Sequence, residues 1–153
     1  SSVRINTAFE EVIHRCASTS RRGQRGTWIL PNMVSAYIDL HRAGYAHSVE
    51  TWVNGQLIGG LYCVAIGKAI FGESMFTAQT DGSKIALTGL VAFARSNGIK
   101  WIDCQQNTKH LASLGAFEVD RSEFLNWVED DQRLDSPSWT FTNGDWSQLL
   151  TSL

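Results

Sequence analysis

The feature that most constrains the fold is an alternating run, Ala46–Val53, that ends in Asn54-Gly55. Side chains that alternate between two faces are typical of a half-buried strand. Asn-Gly is the strongest short signal for a type I′ hairpin, because both central residues of that turn need positive φ. A partner strand is therefore predicted over Gln56–Ile66. Gly67-Lys68 predicts a second turn, and residues 69–76 a third antiparallel strand.

A helix and a further strand follow this meander. Residues 80–83 predict a helix start, and Asn97-Gly98 predicts its end after Ser96. Residues 99–105 read as the next strand. A strand, helix, strand unit of this length implies a right-handed crossover, so the new strand should lie parallel to the strand over 69–76.

The remaining elements predict a mixed sheet flanked by helices. Helical spacing is found over residues 6–17, 32–43, 108–114, 122–131 and 145–150, with Met33, Ala36, Tyr37 and Leu40 as the buried stripe of the second helix. Short strands are predicted over 116–119 and 137–141, and a polar loop over 18–26. The order predicts one α+β domain over residues 1–153. Gly59-Gly60 inside a strand predicts a bulge, or close approach by a ligand or another backbone.

Composition excludes several classes of protein. With 153 residues, 43% hydrophobic and 18% charged, the chain has enough apolar sequence for one core. No apolar run is long enough to cross a bilayer, and the first residues lack the apolar segment of a signal peptide. The three cysteines, Cys16, Cys63 and Cys104, have no metal-ligand spacing. Free thiols in a reducing cytoplasm are expected.

The charge balance argues against general attraction to nucleic acid. The net charge is −2 and the pI is about 6.0, so any RNA contact must come from a local basic patch. The evident cluster is Arg15, Arg21, Arg22 and Arg25. A solvated loop and a phosphate contact are both open interpretations of it.

Two carboxylates are the best candidates for chemistry. Asp103 and Gln105 are two residues apart on a predicted strand, so they share a face that Cys104 does not. Glu73, in an apolar setting, is expected to end the neighbouring strand, so that all three polar groups converge on one crevice. The alternatives are that Asp103 caps a loop or helix and that Glu73 pairs with Lys84 or an arginine.

Other reactive side chains form weaker patterns. Cys104 with His110 would fit a thiol hydrolase only poorly, since their spacing is six residues and their faces are opposed. The four histidines are scattered, so no metal site is predicted. Several apolar residues near Glu73 are candidates for a pocket, with plain core as the alternative: Leu61, Phe71, Met75, Phe76 and Ile102.

The order of elements resembles the N-acetyltransferase-like fold, in which a ligand meets the N-terminus of the crossover helix. Residues 79–84 also resemble the acyl-coenzyme A loop pattern Q/R-x-x-G-x-G/A. Lys84 stands where that pattern has a small residue. Its side chain would obstruct close approach of the backbone to a pyrophosphate, which argues against coenzyme A.

Many separate blocks, from Phe9 to Phe124, resemble the bacterial leucyl/phenylalanyl-tRNA–protein transferases. In chain order they are Gly26-Thr27-Trp28-Ile29, Ala36-Tyr37, Leu40-His41, Ala46-His47-Ser48-Val49-Glu50, Trp52, Gly59-Gly60-Leu61-Tyr62, Gly72-Glu73-Ser74-Met75-Phe76, Ser83-Lys84, Ala86-Leu87, Ile102-Asp103, Gln105 and His110-Leu111-Ala112-Ser113-Leu114-Gly115-Ala116. This family has an N-acetyltransferase-like catalytic domain. The resemblance implies an aminoacyltransferase that moves Leu or Phe from aminoacyl-tRNA to an N-terminal Arg or Lys of a protein. The product is a degradation signal of the N-end rule pathway.

The resemblance also implies roles for individual residues. Asp103 would accept a proton or orient Gln105, which would contact the attacking amine or the ester, and Glu73 would hold the aminoacyl α-ammonium. Trp28 would stack near the terminal adenosine. The side-chain pocket would be lined by Leu61, Ile70, Met75, Leu90 and Ile102. Independently of the resemblance, the candidates for contact with tRNA are Arg21, Arg22 and Arg25 of the basic cluster, together with Lys84. The family uses no metal or organic cofactor, and a cytoplasmic monomer is expected.

The chain departs from the family pattern in two respects. Family members carry an additional N-terminal domain, and this sequence starts after it, so weak binding of tRNA is expected. Leu61 and Leu90 stand where a methionine and an aromatic residue are expected, which leaves the amino acid preference open. Two alternatives are a non-catalytic module that binds tRNA ends or protein N-termini, and an N-acetyltransferase-like enzyme with another acyl donor.

Overall fold

The computed structural model describes residues 1–23, 31–104 and 113–150. Its centre is a five-stranded sheet in the order β1-β2-β3-β4-β5. The strands are β1 Ser2–Ile5, β2 Ala46–Val53, β3 Gln56–Ile66, β4 Ala69–Thr77 and β5 Ile102–Asp103. The first four strands pair antiparallel, and β5 is parallel to β4. The predicted α+β class with a mixed sheet is confirmed.

Helices cover both faces of this sheet. The helices are α1 Phe9–Gly23, α2 Pro31–Arg42, α3 Gly82–Ser96, α4 Arg121–Asp131 and α5 Ser147–Leu150, with a 3-10 turn at Asn143–Trp146. The first two pack on one face, and α3 packs on the other together with the C-terminal turns. None of the helices in the described ranges is long and apolar enough to cross a membrane.

The predicted meander and crossover are confirmed. Asn54 and Gly55 have φ of 50° and 75°, the positive values that a type I′ turn needs. At the crossover, Ile70 lies beside Ile102 and Phe71 beside Asp103, in parallel register. The ladder of β5 contains only two residues, so the predicted strand over 99–105 was too long.

Several other predictions were wrong. Residues 18–23 of the predicted polar loop continue α1 to Gly23 instead, because a polar composition does not by itself exclude a helix. Residues 24–26 of that loop lie outside the described part of the chain. Residues 116–119 and 137–141 form no strand; Trp139 and Phe141 instead pack against the core from irregular backbone. In α2, Val34 and Ile38 take the inward positions predicted for Ala36 and Leu40. The edge strand β1 was not predicted.

The sheet separates two hydrophobic clusters. On the α3 face the buried residues include Val49, Leu61, Ile70, Leu90 and Phe93. On the α1 and α2 face they include Val12, Ile13, Val34, Tyr62 and Phe76. The central strands are therefore covered on both sides, which fixes the position of their polar side chains.

The start of α3 lies directly against β3. A Cβ atom added to Gly59 would come within 2.3 Å of the backbone carbon of Gly82, and one added to Gly82 would meet the Ile58 oxygen at 2.3 Å. The Thr51 hydroxyl also donates a hydrogen bond to the Gly82 carbonyl at 2.7 Å. Of the alternatives for Gly59-Gly60, close approach of another backbone is thus confirmed at Gly59.

A buried carboxylate holds the start of α1. Glu50 is fully buried on β2 and accepts hydrogen bonds from the backbone N–H groups of Thr7 and Ala8, both at 3.0 Å. The hydroxyls of Thr7 and Ser48 and the Trp52 indole N–H also donate to it. A negative charge at a helix N-terminus is stabilised by the unpaired N–H groups there.

His47 occupies a buried site on the other face of β2. Its ring stacks on Trp139 with centroids 3.9 Å apart, and its Nδ1 lies 2.9 Å from the Asn6 side-chain nitrogen. Burial, followed by the neighbouring His41, lowers the pKa of His47 to about 4, against a smaller opposing effect of a hydrogen bond with the Gly44 backbone.

This environment predicts that the protein loses stability in mild acid. The unfolded chain takes up a proton near pH 6.5 and the folded chain only near pH 4, so unfolding is favoured as pH falls through that window. Between pH 7 and pH 5 the loss attributable to His47 is about 2 kcal/mol. We expect urea unfolding of a His47→Asn variant to show a correspondingly smaller pH dependence. The exposed His14, changed to Gln, is the matched control, and equal slopes for the wild type and His47→Asn would contradict the prediction.

Candidate active site

Glu73 lies at a β-bulge in the middle of β4. Tyr62 of β3 pairs with Ser74 and the next residue, Cys63, pairs with Gly72, so Glu73 is an extra residue without a register partner. The prediction that Glu73 ends its strand was therefore wrong, since β4 continues to Thr77. A bulge redirects a side chain out of the regular pleat.

The carboxylate of Glu73 is directed toward α2. The Tyr37 hydroxyl donates a hydrogen bond to its Oε2 at 3.1 Å, and both side chains are half-buried. The alternative of an ion pair with Lys84 is wrong, since Lys84 lies 3.9 Å from Asp81 instead. Within the described ranges, Glu73 forms no ion pair with an arginine or lysine.

Asp103 lies on the same side of the sheet as Glu73. It pairs with Phe71, whereas its neighbour Ile102 packs on the α3 face, so Asp103 faces the opposite side. Glu73 is two residues beyond Phe71 on β4, and Asp103 pairs with Phe71 from the adjacent strand. Strand geometry therefore puts the Glu73 and Asp103 backbones roughly 8 Å apart. The structure thus brings two of the predicted site residues together.

The electrostatics of the pair are those of a partly desolvated acidic site. Burial raises the pKa of Glu73, the Tyr37 hydrogen bond opposes that rise, and the nearby Asp103 charge adds to it. Two neighbouring carboxylates, of which Glu73 has no lysine or arginine paired with it within the described ranges, favour a positively charged ligand. A substrate ammonium is the group that such a site could hold.

A groove of about 690 Å³ runs beside β5 and reaches Asp103. The C-terminal half of α3 and α4 line it, and Trp101, Phe124 and Trp127 give it aromatic walls. Arg95, Lys100 and Arg121 also line the groove. Glu73 is not among the described residues that border it, so Asp103 lies between the groove and the Tyr37–Glu73 pair.

The residues predicted for a side-chain pocket divide into two groups. Leu61, Ile70 and Leu90 are buried in the α3-face cluster, and Ile102 packs against them. Met75 is the cross-strand neighbour of Leu61 but is 43% exposed. The structure therefore brings four of these residues together in a closed core, with Met75 open to solvent.

Several predicted residues lie outside the described part of the chain. These are Trp28, Gln105, Arg25 and the side chains of Arg21 and Arg22. Lys84 is described and is exposed in the first turn of α3. Arg15, which belonged to the predicted basic cluster, is bound within the fold: it pairs with Glu11 at 2.7 Å and donates to the Leu57 carbonyl at 2.8 Å.

The thiols do not form a nucleophilic site in the described ranges. Burial, followed by the Asp103 charge, raises the pKa of Cys104, which opposes formation of a thiolate. Its proposed partner His110 lies outside the described residues. The part of the chain that is described also contains no cluster of three or more His, Cys, Asp or Glu side chains arranged for a metal ion.

Tyr37 is the contributor to this site that sequence reasoning missed. It was assigned to the apolar stripe of α2, where its ring does pack, at 5.0 Å from the Tyr62 ring. The available signal was its hydroxyl, because a tyrosine in a buried stripe usually has a hydrogen-bond partner. Its partner is 36 residues away in sequence, so no local pattern identifies it.

The sequence of this chain is similar to one protein family and to several of its members. The sequence profile of a family described as leucyl/phenylalanyl-tRNA protein transferase matches residues 1–129. A protein of that name from Polaromonas sp. is 58% identical over 150 residues, which is 98% of this chain. Another from Albidiferax ferrireducens is 60% identical over 149 residues, 97% of this chain. In both comparisons the chain spans 59% of the relative's length.

Proposed function

Because the chain belongs to the leucyl/phenylalanyl-tRNA protein transferase family, we propose that it is the catalytic part of an aminoacyltransferase. It would transfer Leu or Phe from aminoacyl-tRNA to the N-terminal Arg or Lys of a protein in the bacterial cytoplasm. The product would be an N-end rule degradation signal. The observation that carries this proposal is the match of almost the whole chain to relatives of that name.

The reaction defines what the site has to supply. The acceptor's neutral α-amine attacks the ester carbonyl, a C–N bond forms, and the bond to the ribose oxygen breaks. The amine proton is transferred to that oxygen, so no oxidant or metal is required for the balance. Holding the two reactants in line and moving this proton are the main contributions of a protein.

We assign these tasks to the two carboxylates and one amide. Glu73 holds the ammonium of the aminoacyl group. This role fits its half-buried position and its hydrogen bond from Tyr37, which is uncharged and so does not neutralise the carboxylate. Asp103 accepts a proton or orients Gln105, and Gln105 contacts the attacking amine or the ester. The roughly 8 Å between the two carboxylate-bearing backbones leaves room for both the ammonium and the reacting ester.

The apolar residues are proposed to select the transferred side chain. The bottom of the proposed pocket would be formed by the buried cluster of Leu61, Ile70, Leu90 and Ile102. Met75, which is exposed, would lie at its opening. Because those four residues form a closed core, binding of a side chain there would require Met75 or α3 to move. Trp28 would stack on the terminal adenosine, and phosphate contacts would come from Arg21, Arg22, Arg25 and Lys84. Shape alone would discriminate by about 1–3 kcal/mol per methylene.

We further propose an N-acetyltransferase-like architecture in one domain over residues 1–153, acting as a monomer without a cofactor. The antiparallel meander, the helix α3 and the parallel strand β5 support that assignment. Gly82 of the acyl-coenzyme A-like loop packs against Ile58, so its lack of a side chain has a structural reason. Together with Lys84, this disfavours a coenzyme A donor.

The direct test is transfer of labelled Leu or Phe from charged tRNA to a peptide that begins with Arg. We expect the peptide to gain label, and a peptide with an acetylated N-terminus to gain none. The assay uses this chain and a form extended at its N-terminus by the corresponding segment of the Polaromonas relative. Activity only in the extended form would locate the deficit in tRNA binding, whereas no label with either form would overturn the proposed function.

A further inference from the structure

The one neighbour that holds Glu73 by a hydrogen bond within the described ranges is Tyr37. The hydroxyl donates to Oε2 at 3.1 Å, which leaves Oε1 for another partner. Tyr37 comes from α2 and Glu73 from the bulge of β4, so the contact joins a helix to the irregular point of the sheet.

The ring of Tyr37 is itself fixed by aromatic packing. It meets Tyr62 edge-on at 5.0 Å, Tyr62 meets Phe9 at 6.2 Å, and Phe9 stacks on His41 at 4.2 Å. Tyr62 and Phe9 are buried, so this chain of rings connects Tyr37 to the core between α1 and the sheet. A hydroxyl on a ring held in this way has a defined direction.

We propose that Tyr37 is a positioning residue whose hydroxyl holds the Glu73 carboxylate so that its second oxygen faces a cationic group of the substrate. This inference rests on the proposed function for the identity of that cation, the aminoacyl ammonium. The hydroxyl can only donate here, since the carboxylate oxygen only accepts. Tyr37 therefore favours the ionised form of Glu73, the form that an ammonium requires.

The groups around Glu73 disfavour its ionised form. Burial and the charge of Asp103 on β5 raise the pKa of Glu73, and the Tyr37 bond acts against both. The Glu73 charge also raises the pKa values of Tyr62 and Cys63 on β3, although burial is the larger cause for both. Both groups stay neutral and so do not stabilise the Glu73 charge. The pKa of Tyr37 is likewise raised, to about 12, so its proton stays in place at physiological pH.

The test is Tyr37→Phe, which keeps the ring and removes the hydroxyl. With ¹³C-labelled glutamate side chains, and with Glu73→Gln to assign the signal, the Glu73 pKa should rise by about one unit. Tyr45→Phe is the matched control, since Tyr45 is 49% exposed, and it should leave the Glu73 titration unchanged. A Glu73 titration in Tyr37→Phe that superimposes on the wild type would overturn the inference.

A second measurement connects the positioning role to the ligand. The probe is an amide-linked phenylalanyl-adenosine, whose dissociation constant is measured from pH 5 to pH 8. For Tyr37→Phe we expect binding weakened about tenfold at the acid end and less than about threefold at pH 8. Equal weakening at all pH values would show a merely structural effect and contradict the positioning role. If neither the wild type nor its N-terminally extended form binds the probe, the proposed function fails, and the carboxylate titration alone decides whether Tyr37 holds Glu73.

Discussion

Replacing Asp103 by alanine is expected to lower the rate of amino acid transfer by about 10²–10⁴-fold, the usual contribution of a positioned acid or base. The carboxylate is half-buried beside Phe71 and borders the groove along β5, so it is accessible to a bound acceptor. Removing it leaves the attacking amine without the group proposed to take its proton or to orient Gln105. Single-turnover label transfer, with the aminoacyl-tRNA bound in advance, measures this step.

Binding should change much less than catalysis. We expect the affinity for aminoacyl-tRNA to fall by less than about threefold in Asp103→Ala, because phosphate contacts generally dominate the affinity of proteins for nucleic acids. Asp135→Ala is the control, since Asp135 is exposed and is not among the described residues that line the groove. A rate within threefold of the wild type would remove Asp103 from the reaction. If the wild-type chain bound tRNA ends but transferred nothing, the alternative of a binding module would be favoured.

The largest expected loss of stability is at Glu50. Glu50→Ala leaves the N–H groups of Thr7 and Ala8, two hydroxyls and one indole N–H without their acceptor. Glu50 is fully buried, whereas its donors range from the buried Ser48 to the exposed Thr7, which water can reach. Each buried donor without a partner costs about 1–3 kcal/mol, partly offset by water entering the space. We expect the free energy of unfolding to fall by about 4 kcal/mol, measured by urea unfolding at pH 7.

Two further variants make this prediction specific. Glu50→Gln keeps the size of the side chain but replaces one acceptor with a donor, so about half of that loss is expected. Glu10→Ala removes an exposed partner of Arg42 at 3.5 Å and should cost less than about 0.5 kcal/mol. A loss below 1 kcal/mol in Glu50→Ala would show that the start of α1 is held by its apolar contacts instead.

The parts of the fold that sequence predicted are those with local causes. The β2–β3 hairpin follows from Asn54-Gly55 and from alternation on both sides of that turn, and its bounds match the prediction. Helix α3 follows from its apolar spacing and its Asn97-Gly98 stop. By contrast, β1 has four residues and no turn signal in its sequence. It forms a strand because it pairs with the edge of β2, a contact between distant parts of the chain.

The candidate site was predicted only in part for a related reason. The proximity of Asp103 to the strand that carries Glu73 follows from the parallel crossover, which is visible in the sequence. The bulge does not, because it is defined by the register of β4 against β3. Likewise, the pairing of Tyr37 with Glu73 depends on how α2 packs across the sheet, and hydrophobic spacing does not determine which hydroxyl meets which carboxylate.

The bulge also changes which residues of β4 face each side of the sheet. Ile70 and Phe76 are six residues apart, an even number that would put both on one face of an uninterrupted strand. Yet Ile70 belongs to the α3-face cluster and Phe76 to the opposite one. The extra residue changes the parity of β4 midway. Deleting Glu73 alone would therefore remove the carboxylate but leave Ile70 and Phe76 five positions apart, an odd number that keeps each side chain on its present face of a regular strand.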